Sequence, residues 1–179
     1  EKNKKKAYKT NILGTKNVAS SVANCFKKKN LNIKLVFMSS DGVYPSTKGN
    51  YKESDKLKPY NYYGFTKLEG EKIVKKLNDF IIIRTRFFDK NNIKFKYAAT
   101  NIFTSSIEVN KLSLYIYKII KKKFKGVINV GGKKVSDYKK YKKYKKNIKP
   151  CDKTVIFNST NVKLASDASL NLKKFNRLI

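Results

Sequence analysis

The chain has 179 residues, of which 40% are hydrophobic, and 43 Lys and Arg stand against 12 Asp and Glu for a formal net charge of +31. That length and apolar content suit one domain, or one and a half, around a buried core, and no apolar run is long enough to span a bilayer. Histidine is absent, which excludes histidine general bases, Ser-His-Asp triads and most zinc sites, so proton chemistry falls to tyrosine, lysine and carboxylates and no metal centre is expected.

Cys25 and Cys151 are far apart in sequence and fit a reduced, cytoplasmic protein better than a disulfide scaffold. Glu1 opens the chain with no initiator methionine or signal peptide in view, so the natural start is expected to lie upstream. The charge invites a nucleic-acid reading. Against it, arginine, the preferred reader of phosphates and bases, occurs only at Arg84, Arg86 and Arg177. The lysines are spread along the whole chain, and abundant Asn and Ile beside them point to an AT-rich coding sequence. Compositional drift is therefore preferred to a nucleic-acid surface.

Residues 1–29 read as one helix, with Ala7, Ile12, Leu13, Val18, Val22 and Phe26 at approximate helical spacing. Gly14 inside it costs about 1 kcal/mol against alanine and implies either a close approach to a backbone or ligand, or plain packing. Ile33–Met38 reads as a strand buried on both faces, as in a parallel sheet. Ser39-Ser40-Asp41-Gly42-Val43-Tyr44 follows it, either as a polar turn or as ligand-binding residues at a strand's carboxyl end. Residues 45–58 form a surface loop.

Pro59 suits the first turn of the next helix, which is expected to run to about Leu77. On that helix Tyr63 and Lys67 are four apart and share a face. An ammonium beside a phenol favours phenolate, so the pair is a proton-transfer device, although in a chain this rich in both residues the spacing alone says little. Phe80–Arg84 reads as a second buried strand, making an α/β alternation. Further on, Ile102–Ser106 reads as a short strand, Val109–Lys121 as a helix and Val127–Val130 as a strand stopped by Gly131-Gly132. Ser136-Asp137 can cap a helix through about Lys146. Its Tyr138, Tyr141 and Tyr144 could stack on bases, but an amphipathic helix laying them on the core is preferred. Ala168–Leu172 leads into a short final helix.

Taken in order, six segments resemble the extended short-chain dehydrogenase/reductase family, the branch that works on nucleotide sugars, and within it the dTDP-4-dehydrorhamnose reductase-like members. They are Asn11-x-x-Gly14-Thr15-x-Asn17-Val18; Val36-Phe37-Met38-Ser39-Ser40-Asp41-Gly42-Val43-Tyr44; Pro59-x-Asn61-x-Tyr63-Gly64-x-Thr66-Lys67-x-x-Gly70-Glu71; Arg84-Thr85; Val127-Ile128-Asn129-Val130-Gly131-Gly132; and Ala168-Ser169-Leu170-Asn171. The resemblance implies the C-terminal part of a Rossmann-like doubly wound parallel sheet, residues 1–88, plus a small α/β substrate-binding region, residues 89–179. It implies Tyr63 as general acid/base, Lys67 lowering its pKa and binding the nicotinamide ribose, and Ser40 bonding the reacting oxygen. Asn11, Ser39 and Arg84 would join Tyr63 and Lys67 on the NAD(P)H side, and Asp41, Val43 and Asn61 would face the nucleotide-sugar substrate. A homodimer through the two long helices is also implied.

The departures from the family pattern are specific. The opening strand with its glycine-rich pyrophosphate turn is absent, so the chain alone is expected to lack most of the dinucleotide site. Lys163 stands where related chains often carry arginine. Sugar 4,6-dehydratases place Asp-Glu after the hydroxyl residue, whereas here the pair is Asp41-Gly42. Reductase is therefore expected first, 4-epimerase second and dehydratase third, with a non-catalytic binding or regulatory member of the fold as the other class.

Overall fold

A computed structural model describes residues 3–160 and 164–179; Lys163 lies outside them. The expected first helix forms as three consecutive segments: α1 (Lys4–Tyr8), a π-helical stretch (Lys9–Gly14) and α2 (Thr15–Lys29). The Asn3 side chain caps α1 by accepting from the Lys6 N–H. At the other end Asn30 adopts the left-handed conformation, φ 51°, which asparagine tolerates at a helix C-terminus. Apolar spacing does not announce the π-helical stretch, a feature found mostly at functional sites. Gly14 makes only ordinary contact there, with the Lys9 carbonyl. The close approach falls at Gly70, where a side chain would run into the Phe37 ring and the Asn11 carbonyl.

The strand β1 (Leu35–Met38) leads through a 3₁₀ turn (Asp41–Val43) and a loop to α3 (Tyr62–Val74), and β2 (Phe80–Arg84) follows. Asn61, not Pro59, marks the start of α3: its side chain accepts from the Gly64 N–H. The helix ends at Val74 rather than Leu77, because the next residues tighten into i→i+3 bonds from Lys76 to Ile73 and Leu77 to Val74. Beyond β2 come β3 (Phe87–Phe88), β4 (Tyr97–Ala99), β5 (Phe103–Thr104), β6 (Ile107–Glu108), α4 (Val109–Lys121), β7 (Gly126–Asn129), β8 (Val135–Ser136), α5 (Asp137–Tyr141), β9 (Lys149–Cys151), α6 (Lys153–Thr160) and α7 (Lys173–Leu178). Of the strand expected over Ile102–Ser106 only Phe103–Thr104 forms one, β5, which pairs antiparallel with β8; β6 follows it and pairs parallel with β3.

The main sheet is parallel, in the order β1-β2-β7, with Leu35 opposite Phe80 and Ile81 opposite Gly126. Buried Ile81, Ile83 and Ile128 form one core cluster with Leu112 and Ile119 of α4 and Phe175 of α7. On the other face, Phe37 meets α3 at Gly70. β2 is buried as expected from its isoleucines, but β1 is only half-buried along its length, because it is an edge strand of this sheet among the described residues. β7 and α4 lie beyond residue 88 yet belong to this sheet and core, so the core draws on both sides of that expected boundary.

In the smaller region α5 ends at Tyr141 rather than Lys146. The Tyr141 ring packs edge-on against Phe88 and Phe95, at 5.5 and 4.8 Å between centroids, and Tyr144 also meets Phe88. These two tyrosines pack on neighbouring aromatics, but Phe95 and Tyr144 are exposed and Phe88 is half-buried, so the contact is a surface cluster rather than the core the amphipathic reading expects. No helix among the described residues is long and apolar enough to cross a membrane.

Candidate active site

The Ser40 turn and the first turn of α3 are pressed together by two glycines. A side chain on Gly64 would overlap the Gly42 carbonyl, and one on Gly42 would approach the Ser40 hydroxyl. Ser40 caps its own 3₁₀ turn, with Oγ accepting from the Gly42 N–H at 3.0 Å. Tyr63 precedes Gly64 and is 47% exposed, so it is not a core tyrosine. The Gly42–Gly64 contact and the pairing of Asp41 with Arg86 bring Ser40, Asp41, Tyr63 and Arg86 into one locality, where Asp41 and Arg86 act on the Tyr63 hydroxyl. Gly64→Ala is expected to cost about 1–3 kcal/mol, the usual penalty of overpacking, measured by denaturant unfolding. A variant as stable as the parent would mean that the two turns can separate freely.

Lys67 lies one turn beyond Tyr63. Its ammonium stands 4.5 Å from the centroid of the Phe37 ring, with no hydrogen bond or ion pair among the described residues. Burial lowers its proton affinity and Glu71, a further turn on, partly restores it. Burial, then Asp41, holds the Tyr63 phenol above the ordinary value, and among the described residues Arg86 opposes them.

Asn11 sits in the π-helical stretch against this helix. Its amide donates to Thr66 Oγ1 at 3.0 Å, and the Thr66 hydroxyl donates to the Tyr63 carbonyl at 2.8 Å. The helix ahead of β1 is thus tied to the turn that carries Tyr63.

Three other side chains expected at the cofactor or substrate are committed elsewhere. Arg84 is 1% exposed, and its guanidinium makes a bidentate pair with Glu71, with Nε and Nη2 at 2.9 and 2.7 Å. Its Nη1 donates to the Tyr44 hydroxyl and the Glu53 carbonyl. Ser39 donates to Glu71 Oε1 at 2.6 Å, and Val43 is fully buried in a cluster with Tyr44, Tyr51 and Leu170. In this structure the side chains of Arg84, Ser39 and Val43, expected at the cofactor or substrate, are thus engaged in internal pairing and packing. The physical reason is the Glu71 carboxylate: buried beneath α3, it requires a charged partner and hydrogen-bond donors, and Arg84 and Ser39 supply them. The network continues through Tyr44 to Asn129, whose amide donates to the Tyr51 carbonyl. Asn61 spends its side-chain oxygen on the helix cap. Asp41 is buried too, but it borders the site and pairs with Arg86 at 2.7 Å. The motif reading passed over Glu71 as a partner and Arg86 altogether; the signal available for Arg86 was the scarcity of arginine.

The parallel sheet with helices on both faces, and a hydroxyl-bearing turn set against a Tyr-x-x-x-Lys helix at the strand ends, define a Rossmann-like α/β protein. Residues 1–106 match the sequence model of the RmlD substrate binding domain, and the chain belongs to that family. It is 28% identical to a hypothetical dTDP-4-dehydrorhamnose reductase from Sulfolobus tokodaii, with a TM-score of 0.79 over 98% of this chain and 67% of that one. It is 25% identical to the dTDP-4-dehydrorhamnose reductase of Bacillus anthracis, solved in complex with NADP, with a TM-score of 0.79 over 99% of this chain and 68% of that one. A stretch of 44 residues, 25% of this chain, is 50% identical to methionine adenosyltransferase 2 subunit beta of Bos taurus and covers 13% of that protein. The chain thus spans about two-thirds of the length of these solved relatives.

Proposed function

We propose that this chain carries the proton-transfer half of an NAD(P)H-dependent reductase acting on a nucleotide-linked 4-keto-6-deoxy sugar. The observation that carries the reading is the Gly42–Gly64 contact, which sets the Ser40 turn against the turn bearing a half-exposed Tyr63, in a family whose solved relatives include an NADP complex. Tyr63 would protonate the forming alkoxide, and Ser40 would bond the same oxygen and orient it. Asp41 would border that oxygen's position from the substrate side.

The residues fit the nicotinamide-ribose end of the cofactor. The Lys67 ammonium has donors to spare for ribose hydroxyls, and Asn11 braces the same helix. When bound, the cofactor supplies the hydride. The glycine-rich turn for its pyrophosphate has no counterpart in these residues, so this chain alone is expected to be inactive. A homodimer through the outer faces of α2 and α3, where Val18 and Phe65 are exposed, belongs to the same reading.

The test is cofactor oxidation by the complete gene product containing these residues, given NADPH or NADH and a dTDP- or UDP-linked 4-keto-6-deoxy sugar. Oxidation dependent on the ketone is expected. No oxidation with any such ketone would remove the reductase reading. It would leave the second reading, a non-catalytic subunit of the same fold, which is favoured by the local identity to a methionine adenosyltransferase subunit.

A further inference from the structure

Arg86 is one of only three arginines in the chain, and it lies two residues beyond the end of β2. Its Nε is 2.7 Å from Asp41 Oδ2; the Asp41 side chain is 2% exposed and that of Arg86 30%. The other carboxylate oxygen, Oδ1, accepts from the Ser40 hydroxyl at 3.2 Å. Asp41 also donates its backbone N–H to the Thr85 carbonyl. One carboxylate therefore joins Ser40 to Arg86 across the end of the sheet. A planar guanidinium fixes a carboxylate's orientation in a way that lysine's point charge does not.

The surroundings make this pairing matter. Behind Arg86, Lys140 is 5% exposed, pairs with Asp137 at 2.7 Å and donates to Thr104 at 2.7 Å. The Tyr60 hydroxyl stands 3.5 Å from Arg86 Nη2, and burial, then Asp137, pushes the Tyr141 phenol up to about 12. Two cations and two carboxylates balance, so losing one member leaves an uncompensated charge in a water-poor place.

We propose that Arg86 is a positioning residue: it clamps the Asp41 carboxylate beside the Ser40 turn, and the clamped pair sets the field at the Tyr63 hydroxyl. The proposal rests on Tyr63 being the proton donor of the reading above. Among the described residues the charged groups that face Tyr63 include Asp41 from the turn and Arg86 from beyond β2, with Lys67 further along its own helix; Tyr60, Asp137, Lys140 and Tyr141 act on the pair from the other side. The Asp41 charge disfavours phenolate and the Arg86 charge favours it. Removing Arg86 therefore raises the pH at which Tyr63 ionises, because its charge goes while that of Asp41 stays. Removing the charge of Asp41 lowers that pH.

The test follows the ionisation of Tyr63 by NMR on this chain with isotope-labelled tyrosine, its resonance assigned by loss in Tyr63→Phe. Arg86→Gln is expected to move the midpoint up and Asp41→Asn down, with Arg86→Lys between Arg86→Gln and the parent. A midpoint that stays put in both charge-removing variants, or moves the same way in both, overturns the proposal. If Arg86→Gln does not fold, Asp41→Asn decides alone, being isosteric: an unmoved or raised midpoint overturns it. The titration needs neither cofactor nor substrate, so a protein that reduces no keto-sugar still gives an answer, and the two readings fail separately.

Discussion

Glu71→Ala is expected to lower the free energy of unfolding by about 3–5 kcal/mol, the range for stranding one member of a buried ion pair. Glu71 is fully buried and Arg84 is 1% exposed. Deleting the carboxylate would leave the guanidinium without its two strongest acceptors and the Ser39 hydroxyl without its acceptor. The loss is large because whole domains of this size are stable by only about 5–15 kcal/mol. Guanidinium chloride unfolding of Glu71→Ala, Arg84→Met and the double variant Glu71→Met/Arg84→Met checks it. The double variant is expected to be more stable than either single one, since removing both charges strands neither. A double variant that simply adds the two losses would show that the residues act independently.

Tyr63→Phe is expected to cut ketone reduction by about 10²- to 10⁴-fold, the usual contribution of a positioned general acid, while folding and cofactor binding stay nearly intact. The ring remains, so packing changes little; only the hydroxyl goes, from a residue that is 47% exposed. Lys67→Ala is expected to differ, losing rate and cofactor affinity together, because lysine would both bind the ribose and act on the phenol. Single-turnover kinetics and cofactor titration of the complete gene product separate the two patterns. Unchanged turnover in Tyr63→Phe would move the chemistry to Tyr60 or Tyr62, or leave α3 purely structural.

The sequence by itself determined the α/β alternation and the positions of its main elements. Leu35-Val36-Phe37 and Ile81-Ile82-Ile83 are consecutive apolar runs of the kind that parallel strands carry, and the apolar spacing of Leu112, Ile116, Ile119 and Ile120 is that of a helix with one buried face. These signals are local: they depend on each residue's neighbours within a turn or a pleat. The order of the six motifs placed the chain in its family for the same reason, because each motif is contiguous. Apart from β5, which falls within the strand expected over Ile102–Ser106, the short strands of the pairs β3–β6, β4–β9 and β5–β8 were not legible, since two or three residues carry no period of their own and are strands only by what lies beside them.

Only the tertiary structure decided how the polar residues divide between packing and chemistry. Ser39, Ser40 and Asp41 are consecutive and look alike as candidates, yet Ser39 is spent on Glu71 while Asp41 reaches Arg86. Arg84 and Arg86 are two apart with opposite fates, one sealed in the core and one half-open beside Tyr63. Among the described residues the charges that act on the Tyr63 phenol come from Asp41 and Arg86, neither of them on its own helix. The physical reason is common to all three cases. Burying a charge requires a partner, and partners such as Glu71 with Arg84, or Asp41 with Arg86, are brought together by the register of the sheet and the close contact of Gly42 with Gly64, not by their separation along the chain.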